Sequence, residues 1–125
     1  MPPIDSLEIL SRFILQTNWF SSSKNRVKYA AFIPNRNGET SVFRTSGITN
    51  DEIWNIGDRE VSIKRNKLIL GRADIRTINV MSKDLEVVRS EPPVRHANII
   101  GWPDEWSKQK LIAIELALES LFHKR

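Results

Sequence analysis

The sequence has no cysteine and only two histidines, His96 and His123. Disulfides and thiolate metal sites are thereby removed, and two imidazoles alone cannot build a His-rich zinc site. No metal and no cofactor is expected. The five glycines stand far apart, so there is neither a Gly-x-x-x-x-Gly-Lys loop nor a Gly-x-Gly-x-x-Gly fingerprint. Gly-x-Ser-x-Gly is missing too. P-loop hydrolysis and dinucleotide-dependent redox chemistry fall away with them. No run of eighteen apolar residues occurs, and Met1-Pro2-Pro3-Ile4-Asp5 has neither the basic nor the apolar part of a signal peptide. The expectation is a cytoplasmic protein without membrane contact.

What remains is one domain's worth of chain: 125 residues, 40% of them hydrophobic, enough for a single core. The net charge of +4 is unevenly spread. Five basic residues (Lys24, Arg26, Lys28, Arg36, Arg44) stand against Glu39 alone, and five more (Lys64, Arg65, Lys67, Arg72, Arg76) against Asp74. The acids gather between Asp51 and Glu60 and near the C-terminus. Such asymmetry suits a polyanionic partner, DNA or RNA, although a charge run also serves as a solvated face. Trp19, Phe20, Tyr29 and Phe32 lie near Lys24, Arg26 and Lys28, the interleaving that single-strand binding by stacking uses.

The pattern predicts an α+β domain with a mainly antiparallel sheet of five or six short strands, a short middle helix and a long C-terminal helix. Leu7 to Ile14 fits helical spacing, while Arg12 to Gln16 also fits a strand. Asn18 to Asn25 reads as a loop. Arg26 to Ile33 and Glu39 to Thr45 read as a hairpin around Asn35-Arg36-Asn37-Gly38. Thr49 or Asn50 caps a helix that Gly57 ends. Glu60 to Lys64 and Leu68 to Ile75 read as a second hairpin, with Gly71 marking a bulge or a close backbone approach. Thr77 to Asp84 is a turn or short helix, Leu85 to Arg89 and Arg95 to Ile100 are strands, and a helix runs from Asp104 to Phe122. That helix should bury Ile112, Ala113, Leu116, Ala117 and part of Trp106.

Chemistry has few places to reside. Alternation along Arg95 to Ile100 points His96 and Asn98 to one face, where His96 is either a general acid or base or a structural imidazole held by a backbone carbonyl. Arg44, in Val42-Phe43-Arg44-Thr45-Ser46-Gly47, either holds phosphate or pairs with an acid such as Glu39 or Asp74. Arg72 and Asp74 share a strand face and can neutralise one another. Asp74, Glu86 and Glu91 could converge on a cation, but no carboxylate-x-Lys strand motif accompanies them. Two functions follow: an accessory subunit contacting nucleic acid or a protein partner through Lys24, Arg26, Lys28, Arg44 and Arg72, or a metal-independent RNase-like or nucleotide-transferring enzyme using His96, Asn98 and Arg44.

At Val42 to Gly47, Gly71 to Asp74 and Arg95 to Pro103 the chain resembles a group of short bacterial proteins that accompany multi-gene or mobile-element systems. The resemblance implies an accessory role with a protein partner, and brings no residue roles with it.

Overall fold

The computed structural model describes residues 3–125; Met1 and Pro2, the start of the expected N-terminal arm, lie outside the described residues. The chain runs β1 (Ile9–Ile14), β2 (Phe20–Ser21), β3 (Arg26–Val27), β4 (Thr40–Arg44), α1 (Asn50–Gly57), α2 (Ile63–Arg65), β5 (Gly71–Arg76), α3 (Thr77–Met81), β6 (Glu86–Arg89), β7 (His96–Ile100), α4 (Trp106–Glu119) and β8 (Leu121–Lys124). Six strands form one antiparallel sheet in the order β6-β7-β4-β1-β5-β8, and β2 and β3 form a separate two-stranded ribbon. The α+β class, the antiparallel sheet and both expected helices are present.

The sheet is covered on both faces. On one, Leu10, Ile14, Val42, Ala73, Ile75, Ala97 and Ile99 meet Ala113, Leu116 and Ala117 of α4, with Phe32 beside them. On the other, Phe13 and Phe43 meet Ile53 and Ile56 of α1 and Ile69. This double burial explains why β1 did not read cleanly as a strand. Lying between β4 and β5, it packs on both faces, and period-two alternation is lost where both faces are buried.

Several expectations need correcting. The Arg26 to Ile33 strand is only Arg26–Val27, which pairs back onto Phe20–Ser21, so the Asn18 to Asn25 loop contains half of a ribbon. Tyr29–Ala31 is a 3-10 turn, and β4 pairs with β1 and β7, so there is no hairpin with β4. The predicted turn at Asn35 does form, with the Gly38 N–H donating to the Asn35 carbonyl at 2.9 Å. Glu60 to Lys64 is helical: a π-turn over Asp58–Ser62 carries α1 into α2, which ends at Asn66 in the left-handed region (φ 52°). The second predicted hairpin is therefore absent. Thr49 is the α1 cap, its hydroxyl accepting the Glu52 N–H at 3.2 Å.

Gly57 does not stop that helix, because its backbone is helical (φ −57°). A Cβ there would lie 2.7 Å from the Phe13 ring, so glycine permits α1 to approach β1. Gly57→Ala should cost about 1–3 kcal/mol by overpacking, read as a lower denaturant midpoint. An unchanged midpoint would show that the ring moves aside freely. Gly71 is the close approach expected of it, with the His123 carbonyl 2.8 Å from where its Cβ would be.

At the C-terminus α4 ends at Glu119, and Leu121–Lys124 form an edge strand beside β5. The predicted helix ran three residues too far. Nothing in the apolar run marks the switch, but Phe122 stacks on Phe20 at 5.2 Å, a contact the strand provides. Glu105 is the N-cap residue of α4, which starts at Trp106. Ala113, Leu116 and Ala117 are buried and Ile112 is half-buried, whereas Trp106 is 55% exposed.

Candidate functional site

Strand β7 pairs with β4 through Phe43↔His96 and Ser41↔Asn98, so all four side chains share one face. The loop before β7 fixes the imidazole. His96 Nδ1 lies 2.9 Å from the Ser90 carbonyl oxygen, and a carbonyl can only accept, so Nδ1 carries the proton. Nε2 is then the acceptor for the Ser41 hydroxyl, 2.7 Å away. The ring also meets the edge of Phe43 at 5.2 Å. The result is a Ser–His pair with its tautomer set by the backbone.

Beside it the sheet splits. β1 pairs with β4 only at Leu10↔Arg44 and Ser11↔Phe43. Beyond that point the Arg12 guanidinium fills the gap, Nε donating to the Ala31 carbonyl at 2.8 Å and Nη1 to the Ser41 carbonyl at 3.0 Å. Its carbon lies 5.0 Å from the centre of the Trp19 ring. The gap opens into a cavity of about 210 Å³ whose wall includes Arg12, Trp19, Ser41, Phe43, Arg65 and His96. Lys64 and Glu60 also line it and form a 3.0 Å ion pair with each other.

Among the described residues no carboxylate lies within salt-bridge distance of Arg12. Burial, and secondly the charge of Arg65, push its pKa down to about 10. The group remains a cation at neutral pH. The cavity wall thus holds a guanidinium balanced by carbonyl dipoles and an aromatic face, with a second guanidinium close enough to repel it. An anion entering here would meet positive potential in a partly dehydrated setting.

Some of the other basic residues lie toward the same end of the sheet, whereas Arg76 pairs with Ile9 at the other end. Ile14 pairs with Gly71 and Gly71 with Lys124, and the Leu70 N–H donates to the Ile14 carbonyl at 2.8 Å. Lys64, Arg65 and Lys67 precede that point, and β3 packs against β8. Lys24, Arg26 and Lys28 are exposed on or beside the β2–β3 ribbon, the Lys28 N–H donating to the Trp19 carbonyl at 2.7 Å. Trp19, bonded by the Lys28 N–H, and Arg65 line the same cavity, which brings one member of each basic run beside it.

Arg44 and Arg72 do not join them. Register puts Arg44 on the face opposite His96, where it pairs with Glu91 at 3.0 Å. Arg72 is 3% exposed and bonds Asp74 through Nε at 3.2 Å and Asn50 through Nη2 at 2.8 Å, under the Trp54 ring. Asp74 also accepts from Ser11 at 2.6 Å and lies 3.3 Å from His123 Nε2, while Ser11 bonds Thr45 at 2.8 Å. These partners make the cluster a closed structural network. The Ser46 hydroxyl accepts the Ile9 N–H at 2.7 Å, so the Thr45 and Ser46 hydroxyls hold the chain rather than face a ligand. Asn98 is beside His96 on the same face, but its amide donates to Glu39 at 3.4 Å. His96, Asn98 and Arg44 are not brought together as one site.

Sequence reasoning missed Arg12 and Ser41. Arg12 had a signal, a lone cation inside Ile9-Leu10-Ser11-Arg12-Phe13-Ile14-Leu15, because a charge in an apolar strand must be given partners. Ser41 had none, since only the β4–β7 pairing brings it to His96. Among the described residues no three or more His, Asp or Glu side chains gather as a metal site, and no helix is long and apolar enough to cross a membrane.

Comparison with protein-family models, with curated proteins and with solved structures gave no match.

Proposed function

We propose that the chain is an accessory protein that holds single-stranded nucleic acid at the basic end of its sheet. A phosphate would sit in the cavity between Arg12 and Arg65, a base would stack near Trp19, and the strand would continue past Lys28, Arg26 and Lys24. The observation that supports this reading most is the Arg12 guanidinium without a carboxylate partner in the wall of an open cavity. Aromatic stacking supplies sequence-tolerant affinity, and the exposed cations supply its electrostatic part. Arg44 and Arg72 are left out of the contact surface, being tied to Glu91 and Asp74. The bacterial multi-component setting implied by the sequence resemblance would supply the protein partner.

Fluorescence anisotropy with a labelled single-stranded oligonucleotide tests it. Affinity should fall steeply with salt, and replacing Lys24, Arg26 and Lys28 together by alanine should reduce the log–log salt slope by about 2, near 0.7 per lost phosphate contact. Arg65→Ala should weaken binding further without changing the melting temperature. Absence of binding to DNA and RNA at low salt would overturn the proposal.

A further inference from the structure

The Ser41–His96 pair has no part in holding a nucleic-acid strand, yet it has the arrangement of an activated nucleophile: hydroxyl, base, and a third group that orients the base. The hydroxyl donates to Nε2 at 2.7 Å and the Ser90 carbonyl holds Nδ1–H at 2.9 Å. Both side chains are half-buried and open to the cavity. A structural serine would need none of this access.

We propose that Ser41 is the nucleophile and His96 the general base of an esterase site whose substrate is a short acyl ester of a phosphate-bearing alcohol. The cavity divides accordingly. Phe13, Leu15 and Phe43 offer an apolar wall for a short acyl chain, and Arg65 offers positive charge to the phosphate, Lys64 being paired with Glu60. This assignment rests on the anion-holding role given above to Arg65.

The chemistry balances without any further reagent. Ser41 Oγ forms a bond to the acyl carbon as its proton passes to His96 Nε2, and the resulting oxyanion lies in the field of Arg12 and Arg65. Collapse breaks the ester C–O bond, and the departing alcohol takes the proton from Nε2. Water then adds to the acyl-serine, giving its proton to Nε2. The serine leaves with that proton, and the acid is released.

A fluorophosphonate probe on the full chain tests the nucleophile without any nucleic acid present. Intact mass should show one adduct, mapped to Ser41, with the labelling rate falling on the order of a thousand-fold in His96→Gln. Melting curves would confirm that this variant folds. Ser41→Cys keeps a nucleophile next to the imidazole and should be alkylated by iodoacetamide far faster than Ser41→Cys/His96→Gln. No adduct at Ser41, or equal rates with and without His96, would overturn the assignment. Hydrolysis of acetyl glycerol phosphate should exceed that of acetyl glycerol, and Arg65→Ala should erase the difference. Labelling at Ser41 with no preference for the phosphorylated ester would overturn the substrate class. Oligonucleotide anisotropy on the same preparation reports separately whether nucleic-acid binding fails.

Discussion

Replacing Asp74 by alanine is expected to lower the unfolding free energy by about 3–5 kcal/mol, among the largest effects of any single change in this chain. The cause is what would be left behind. Arg72, 3% exposed, would keep only Asn50 and the Trp54 ring, and the Ser11 hydroxyl would lose an acceptor at 2.6 Å. A buried cation stripped of its carboxylate carries its desolvation cost with nothing to offset it. Arg72→Met with Asp74→Leu should recover much of the loss, because the penalty belongs to the orphaned charge rather than to the missing attraction. Urea denaturation of the two single variants and the double variant decides this. If Asp74→Ala keeps the parent's midpoint, the network is dispensable and the buried ion pair does not hold the fold.

The second large effect is expected from α4. Leu116 is completely buried and joins the core formed with Ala97 and Ile99 of the sheet. Leu116→Ala should cost about 2–5 kcal/mol, the removed methylenes plus the cavity they leave. A domain of roughly this size loses about 2–8 °C of melting temperature per kcal/mol, so calorimetry would read the change easily. Leu118→Ala, two residues on but 68% exposed, is the internal control and should leave the melting temperature nearly unchanged. Equal and negligible effects at both positions would mean that α4 contributes no core.

The sequence was legible where an element is punctuated by residues whose backbone chemistry is fixed. Gly47 closes β4, and the prolines at 92, 93 and 103 bracket β7, so both were placed to within a residue or two. Legibility failed where an element's reason lies in a neighbour. Gly57 reads as a helix stop, but it is glycine because the Phe13 ring comes against it. Glu60-Val61-Ser62-Ile63-Lys64 alternates like a strand, but it continues a helix through a π-turn. The candidate site divided along the same line. His96 was visible as a histidine held in a proline-bracketed strand, and its bond to a backbone carbonyl was one of the two readings the sequence allowed. Its partner Ser41 lies 55 residues away, and only strand order brings the two together.

The placement of β1 has a kinetic consequence. In the six-stranded sheet only β6 and β7 are ladder neighbours that also follow one another in sequence; β1 finds its partners at Arg44 and Asp74, β4 at His96, and β5 at His123. Each of those ladders closes a long loop before it gains any contact energy, which places refolding in the roughly millisecond-to-second range of non-local topologies. Until β4 and β5 arrive, β1 is a solvated Ile-Leu-Ser-Arg-Phe-Ile segment with two open edges, a template for pairing with other chains. Arg12 then has a second use as a gatekeeper, its charge opposing stacking of unfolded copies during the interval when the centre of the sheet is still unpaired.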